Sequence, residues 1–142
     1  MVTGAIRDLI RHSGSMCLLE RVISWDAARL KATTGTHRRA DNPLRRDGRL
    51  DSVHLCEYGA QAMAVHGGLL AQQQGRRAPP GLLASLRDVW LAPIAVQDCA
   101  GELEVVAVRV FGDGNGWQYE FEVSHQSALL ASGRVAVVLR SD

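Results

Sequence analysis

Cysteine is scarce: Cys17, Cys56 and Cys99 lie far apart and none forms a Cys-x-x-Cys pair, so neither a zinc knuckle nor a redox dithiol is expected. Aromatic residues make up 5% of the chain, too few for an obvious platform on which nucleic-acid bases could stack. Lys31 is the only lysine, and arginine supplies the other basic charges. A net charge of +1 gives no global pull toward nucleic acid or a membrane surface. No apolar run reaches the length of a membrane span, and the first residues lack a charged stretch followed by a long apolar one. A cytoplasmic protein is expected. There is no Gly-x-Ser-x-Gly elbow and no His-Glu-x-x-His zinc pattern. Gly112, Gly114 and Gly116 are spaced like a nucleotide loop but lack the helix that should follow, so they read as a hairpin turn. No metal or other cofactor is expected.

What is there suits one soluble domain spanning 1–142, with 46% hydrophobic and 22% charged residues. Residues 4–11 carry Ile6, Leu9 and Ile10 at helical spacing and predict a brief opening helix. Residues 16–25 and 29–37 read as strands either side of an Asp26-Ala27-Ala28 turn. A polar, arginine-rich loop follows to Asp51. Residues 53–72 predict a helix of about five turns. Strands are then expected at 82–91, 103–111, 117–125 and 128–139, the last pair joined by a tight turn at Gln126-Ser127. One helix among many antiparallel strands predicts an α+β domain whose sheet wraps that helix.

That helix is apolar nearly all round, which predicts burial. Its first half nonetheless carries His54, Glu57 and Gln61 at i, i+3 and i+7. At 100° per residue these fall within about 60° of arc and form one stripe. An ionised carboxylate in a dry interior costs several kcal/mol unless paired. Either the stripe faces solvent or pairs with nearby arginines, or it lines a cleft with Glu57 as acid or base.

The run Leu55-Cys56-Glu57-Tyr58-Gly59-Ala60-Gln61-Ala62 resembles the Glu-x-x-x-Gln helix of the hotdog-fold 3-hydroxyacyl-[acyl-carrier-protein] dehydratases. Leu9-Ile10-Arg11-His12 with Leu18-Leu19-Glu20-Arg21-Val22 is similar to that family's opening. Leu83 to Val89 with Pro93, and Ala131 to Val137, resemble two of its strands. The similarity covers nearly the whole chain and is nearer to the divergent members of aryl polyene and polyketide clusters. It implies a hotdog domain, a dimer with active sites at the subunit interface, and loss of water from a 3-hydroxyacyl thioester. Glu57 would be the acid and Gln61 a substrate-side residue that orients water or the acid. Acyl carrier protein or coenzyme A would carry the substrate.

One position departs from the pattern. The family's histidine loop, counted back from Glu57, falls on Pro43 beside Asn42, with no histidine there. His54 and His37 are the candidate substitutes, since imidazole accepts a proton near neutral pH. His54 is preferred for its place one turn before Glu57. Arg38, Arg39, Arg45, Arg46 and Arg49, with Arg76 and Arg77 beyond the helix, would suit an acidic carrier protein. A hotdog thioesterase, or a non-catalytic hotdog subunit partnering an active dehydratase, remain alternatives. The partner is either a second copy or another hotdog chain.

Overall fold

The computed structural model describes residues 6, 16–76, 81–113 and 115–139. Six antiparallel strands form one sheet: β1 (Arg21–Trp25), β2 (Arg29–Thr34), β3 (Gly81–Leu91), β4 (Leu103–Gly112), β5 (Gly116–His125) and β6 (Ala128–Leu139). Their order across the sheet is β1-β2-β4-β5-β6-β3. One long helix, α1 (Leu55–Gln73), lies against the inner face. This is the α+β, helix-wrapping hotdog architecture that the element order predicts. Of the expected opening helix only Ile6 lies among the described residues, helical and buried.

Alternation decides which face of each strand meets the helix. In β4, Leu103, Val105 and Ala107 are fully buried while Glu104, Val106 and Val108 are less so. In β5, Tyr119, Phe121 and Val123 point inward and stand opposite Val135, Gly133 and Ala131 of β6. Burying side chains of this size stabilises a fold by roughly 1.5–3 kcal/mol each. The helix approaches closely because Gly59 and Gly67 lack a side chain where it meets the sheet. A Cβ on Gly59 would overlap the Phe121 ring, and one on Gly67 would come within 2.5 Å of Trp117. The β5–β6 turn places Gln126 and Ser127 at φ 49° and 70°, the left-handed pair that a two-residue hairpin needs.

Two expected strands are shorter than their sequences suggest. β1 begins at Arg21 rather than residue 16, because hydrogen-bonding groups of the preceding segment are taken by side chains. The Leu18 carbonyl accepts from the hydroxyls of Thr34 and Thr36, and the Leu18 amide donates to Gln61. β2 ends at Thr34, and Thr36–Arg38 turns as a 3-10 helix. His37 is therefore not a strand terminus. The turn carries it inward to full burial.

β3 is the outer strand on one side of the sheet. It departs from regular pairing with β6 between Arg87 and Trp90, where Asp88 adopts φ 53°. Leu86, Val89 and Trp90 on this strand are exposed.

Candidate active site

The start of α1 is fixed to the rest of the domain by polar contacts. Ser52 donates its hydroxyl to the Ala92 carbonyl at 2.6 Å, and the Leu50 amide donates to Gln97 Oε1 at 2.9 Å. Asp51 and His54 form a reciprocal capping box around the 3-10 turn Ser52–His54 that leads into the helix. Within it the Asp51 amide donates to His54 Nδ1 at 3.1 Å. A neutral imidazole that accepts at Nδ1 carries its hydrogen on Nε2. In this arrangement His54 presents a donor, and its lone pair is engaged by backbone.

Glu57 sits half-buried in the first helical turn. Val53 beside it is 51% exposed, so the helix start presents apolar surface around the acid. Gln61, one turn further on, is fully enclosed. Its Oε1 accepts from the Leu18 amide at 2.9 Å and its Nε2 donates to the Met16 carbonyl at 2.7 Å. Both ends of the amide hold residues 16–18 against the helix. The stripe read from spacing thus divides: His54 and Glu57 reach the surface, and Gln61 turns inward.

His37 lies apart from this pair. Its Nε2 bonds to the Cys99 carbonyl at 2.8 Å, while the buried Nδ1 has no hydrogen-bond partner. Burial lowers its pKa below the ordinary 6.5, which keeps it neutral. His37 is enclosed and carbonyl-bound.

Asn42 occupies the loop position beside the one that the resemblance assigns to a histidine. It donates to the Thr36 carbonyl at 2.9 Å and to the Tyr58 hydroxyl at 3.0 Å, and accepts from the Leu44 amide at 2.9 Å. Tyr58 also meets the Thr36 hydroxyl at 2.9 Å, and burial raises its pKa. Asn42, Tyr58 and Thr36 lock the loop to the helix. The sequence signal for this network was weak: an Asn-Pro turn and a tyrosine beside the acid.

Among the described residues, two of the cavities have volumes of about 350 and about 370 Å³. The first lies on the outer face of the sheet over Val106, Glu120 and Arg134, and the second lies beside the last turns of α1. Neither is lined by Glu57, His54, His37 or Gln61. Among the described residues no cluster of His, Cys, Asp and Glu is arranged to hold a metal ion. No helix among the described residues is long and apolar enough to cross a membrane. The loop arginines are partly neutralised, Arg39 by Asp41 at 3.2 Å and Arg49 by Asp51.

Comparison with known proteins gives the fold the same reading. The chain is similar to the dehydratase heterocomplex ApeI:P from Xenorhabdus doucetiae, with a TM-score of 0.84, 22% identity, and 96% of this chain and 91% of that one covered. It is similar to AziG from S. sahachiroi, with a TM-score of 0.57, 23% identity, and coverage of 89% and 94%. It is also similar to the thioesterase HI1161 from Haemophilus influenzae, with a TM-score of 0.62, 12% identity, and coverage of 99% and 92%. At these identities the likeness speaks for the hotdog fold. A search of curated proteins finds no match. The model of the ApeP-like family, described as ApeP dehydratase, matches residues 4–142, and on that match the chain belongs to the ApeP dehydratase family.

Proposed function

We propose that this chain supplies the acid of a dehydratase site completed by a second hotdog subunit, which removes water from a 3-hydroxyacyl thioester. One observation carries the reading. Glu57 is half-buried beside the exposed Val53, yet the two candidate imidazoles among the described residues have a ring nitrogen engaged elsewhere: His54 Nδ1 in the cap and His37 Nε2 on the Cys99 carbonyl. The outer strand β3, with Leu86, Val89 and Trp90 exposed, offers backbone and apolar area for a partner. The similar ApeI:P structure is a dehydratase heterocomplex, which supports a different chain rather than a second copy as the partner.

The chemistry balances as follows. A base of the partner takes the α-proton of the acyl chain. Protonated Glu57 gives its proton to the β-hydroxyl, the C–O bond breaks, and the electron pair of the broken C–H bond forms the Cα–Cβ double bond. Water leaves and the 2-enoyl thioester remains. The Nε2–H of His54 would be a donor to the thioester carbonyl as charge builds on it. In a pair with pseudo-twofold symmetry, two such sites face the interface. This chain completes the one that uses its acid and leaves the other without a histidine.

The acyl group is carried on acyl carrier protein or on coenzyme A. Arg38 and Arg46, which form no carboxylate pair among the described residues, are the basic residues of the loop best placed to meet an acidic carrier. The test is to assay this chain, a hotdog partner, and their mixture on a 3-hydroxyacyl thioester, following loss of water by mass spectrometry. Only the mixture, or the mixture far above its parts, should yield enoyl product. Full activity of the partner with Glu57→Gln in the mixture would overturn the proposal. Free thiol without an enoyl product would instead favour thioester hydrolysis.

A further inference from the structure

The second cavity lies far from Glu57. Fourteen residues of helix separate Glu57 from Ala71, roughly 20 Å at 1.5 Å per residue. The cavity, of about 370 Å³, is bounded by Gly67, Leu70 and Ala71 of α1, Arg109 of β4, Trp117 of β5 and Leu139 of β6, with Arg76 at its rim.

The wall is built rather than incidental. Trp117 fits against Gly67, where any side chain would collide with its ring. The Arg109 guanidinium stacks 4.8 Å from the Trp117 ring centroid and 5.6 Å from that of Tyr119. Behind it the hydrogen bonds have a fixed direction. His66 is fully buried, and its Nε2 meets the Asp26 carbonyl at 2.7 Å, so that nitrogen must carry the hydrogen. Nδ1 then accepts from the Tyr119 hydroxyl at 2.6 Å. The tyrosine oxygen is left to face Arg109 as an acceptor.

Burial keeps both members of this chain neutral, with Tyr119 pushed up to about 12 and His66 held below 6.5. Arg109 is therefore the full charge of the cluster. Among the described residues neither Arg109 nor Arg76 makes an ion pair; Arg76 donates to the neutral Gln74. The one carboxylate on the cavity wall, Asp113, accepts from the amides of Asn115 and Gly116 at 2.7 and 3.1 Å. Arg109 Nε is buried without an acceptor. The terminal nitrogens of the guanidinium, rather than the covered Nε, are the donors a ligand oxygen would meet. The nearby helix end carries about half a negative charge, which two guanidiniums outweigh.

We propose that this cavity binds a small organic carboxylate, an aromatic or short aliphatic acid, with its carboxylate on Arg109 and Arg76 and its apolar body against Trp117, Leu70 and Leu139. A planar guanidinium grips a carboxylate through paired N–H bonds, and the apolar wall selects against a bare inorganic anion.

The test is titration of the full chain with benzoate at fixed ionic strength, read by the Arg Nε–H signals in NMR, with benzamide and inorganic phosphate as comparison probes. Benzoate should shift the Arg109 signal saturably, and benzamide and phosphate should bind at least about tenfold more weakly. Arg109→Gln should weaken benzoate about tenfold or more, and Arg76→Gln severalfold, both read by shifts of the Trp117 indole signal. Ala71→Leu, on a partly exposed helical position, should block the cavity without touching either arginine, and serves if Arg109→Gln does not fold. Equal binding of benzamide, phosphate binding as tightly as benzoate, no saturation at millimolar benzoate, or benzoate affinity unchanged by Ala71→Leu would each overturn the proposal.

Discussion

Asn42 and Tyr58 are joined by a 3.0 Å hydrogen bond between the side-chain amide and the phenol, both buried. The bond puts a loop anchor beside the place where the family resemblance puts a catalytic histidine. Removing the amide leaves the Thr36 carbonyl, the Leu44 amide and the tyrosine hydroxyl each short of one partner. Asn42→Ala should therefore destabilise the chain by about 1–3 kcal/mol, measured by urea denaturation. A loss near zero would mean that water replaces the amide and that the loop is not held by it.

Glu57 and His54 should separate cleanly by mutation. Glu57→Gln keeps size and should lower dehydration by the mixed complex at least about 100-fold. His54→Ala removes the acceptor for the Asp51 amide and should cost about 1 kcal/mol of stability. As a donor rather than the base, His54 should cost the rate less than Glu57 does. If His54→Ala abolishes turnover and leaves stability intact, the imidazole is the base after all.

Acid should weaken the fold through His37 and His66. Both are buried and both have pKa values held below the ordinary 6.5, chiefly by desolvation. Above 6.5 the folded and unfolded forms are alike neutral. As pH falls below that value the unfolded chain takes up protons that the folded chain refuses, so stability declines until the lower folded values are passed. Urea midpoints measured between about pH 7.5 and about pH 5 should fall with pH. His37→Gln, which retains a donor for the Cys99 carbonyl, should flatten that decline.

Association should depend on the outer strand. Trp90 is 49% exposed, so Trp90→Glu should leave this chain folded by circular dichroism. A charge buried in an apolar contact is expensive, and the variant should no longer co-elute with a hotdog partner on size exclusion. Unchanged co-elution would place the interface elsewhere.

Much of this was legible in the residues. The strands β4 to β6 begin and end within about a residue of where alternation and turn chemistry set them, and α1 does nearly so, because short-range rules govern them. The errors fall where side chains compete with the ladder. Residues 16–20 look strand-like, but Gln61, Thr34 and Thr36 take bonds that a strand would need. The stripe expected on one helical face divides, because His54 falls in the 3-10 turn before α1 and Gln61 is claimed from across the chain. The cavity at Arg109 had no local signature, since its parts come from three strands and the far end of the helix.

The kink at Asp88 bears on how large an assembly can grow. It breaks the outer strand into a longer run before it and a short one after, and a neighbour must carry a matching bend to align along both. The opposite margin of the sheet, β1, is five residues long and itself irregular between Val22 and Ser24. Two unequal, bent margins present no matching straight ladder to each other, which disfavours head-to-tail repetition of the sheet.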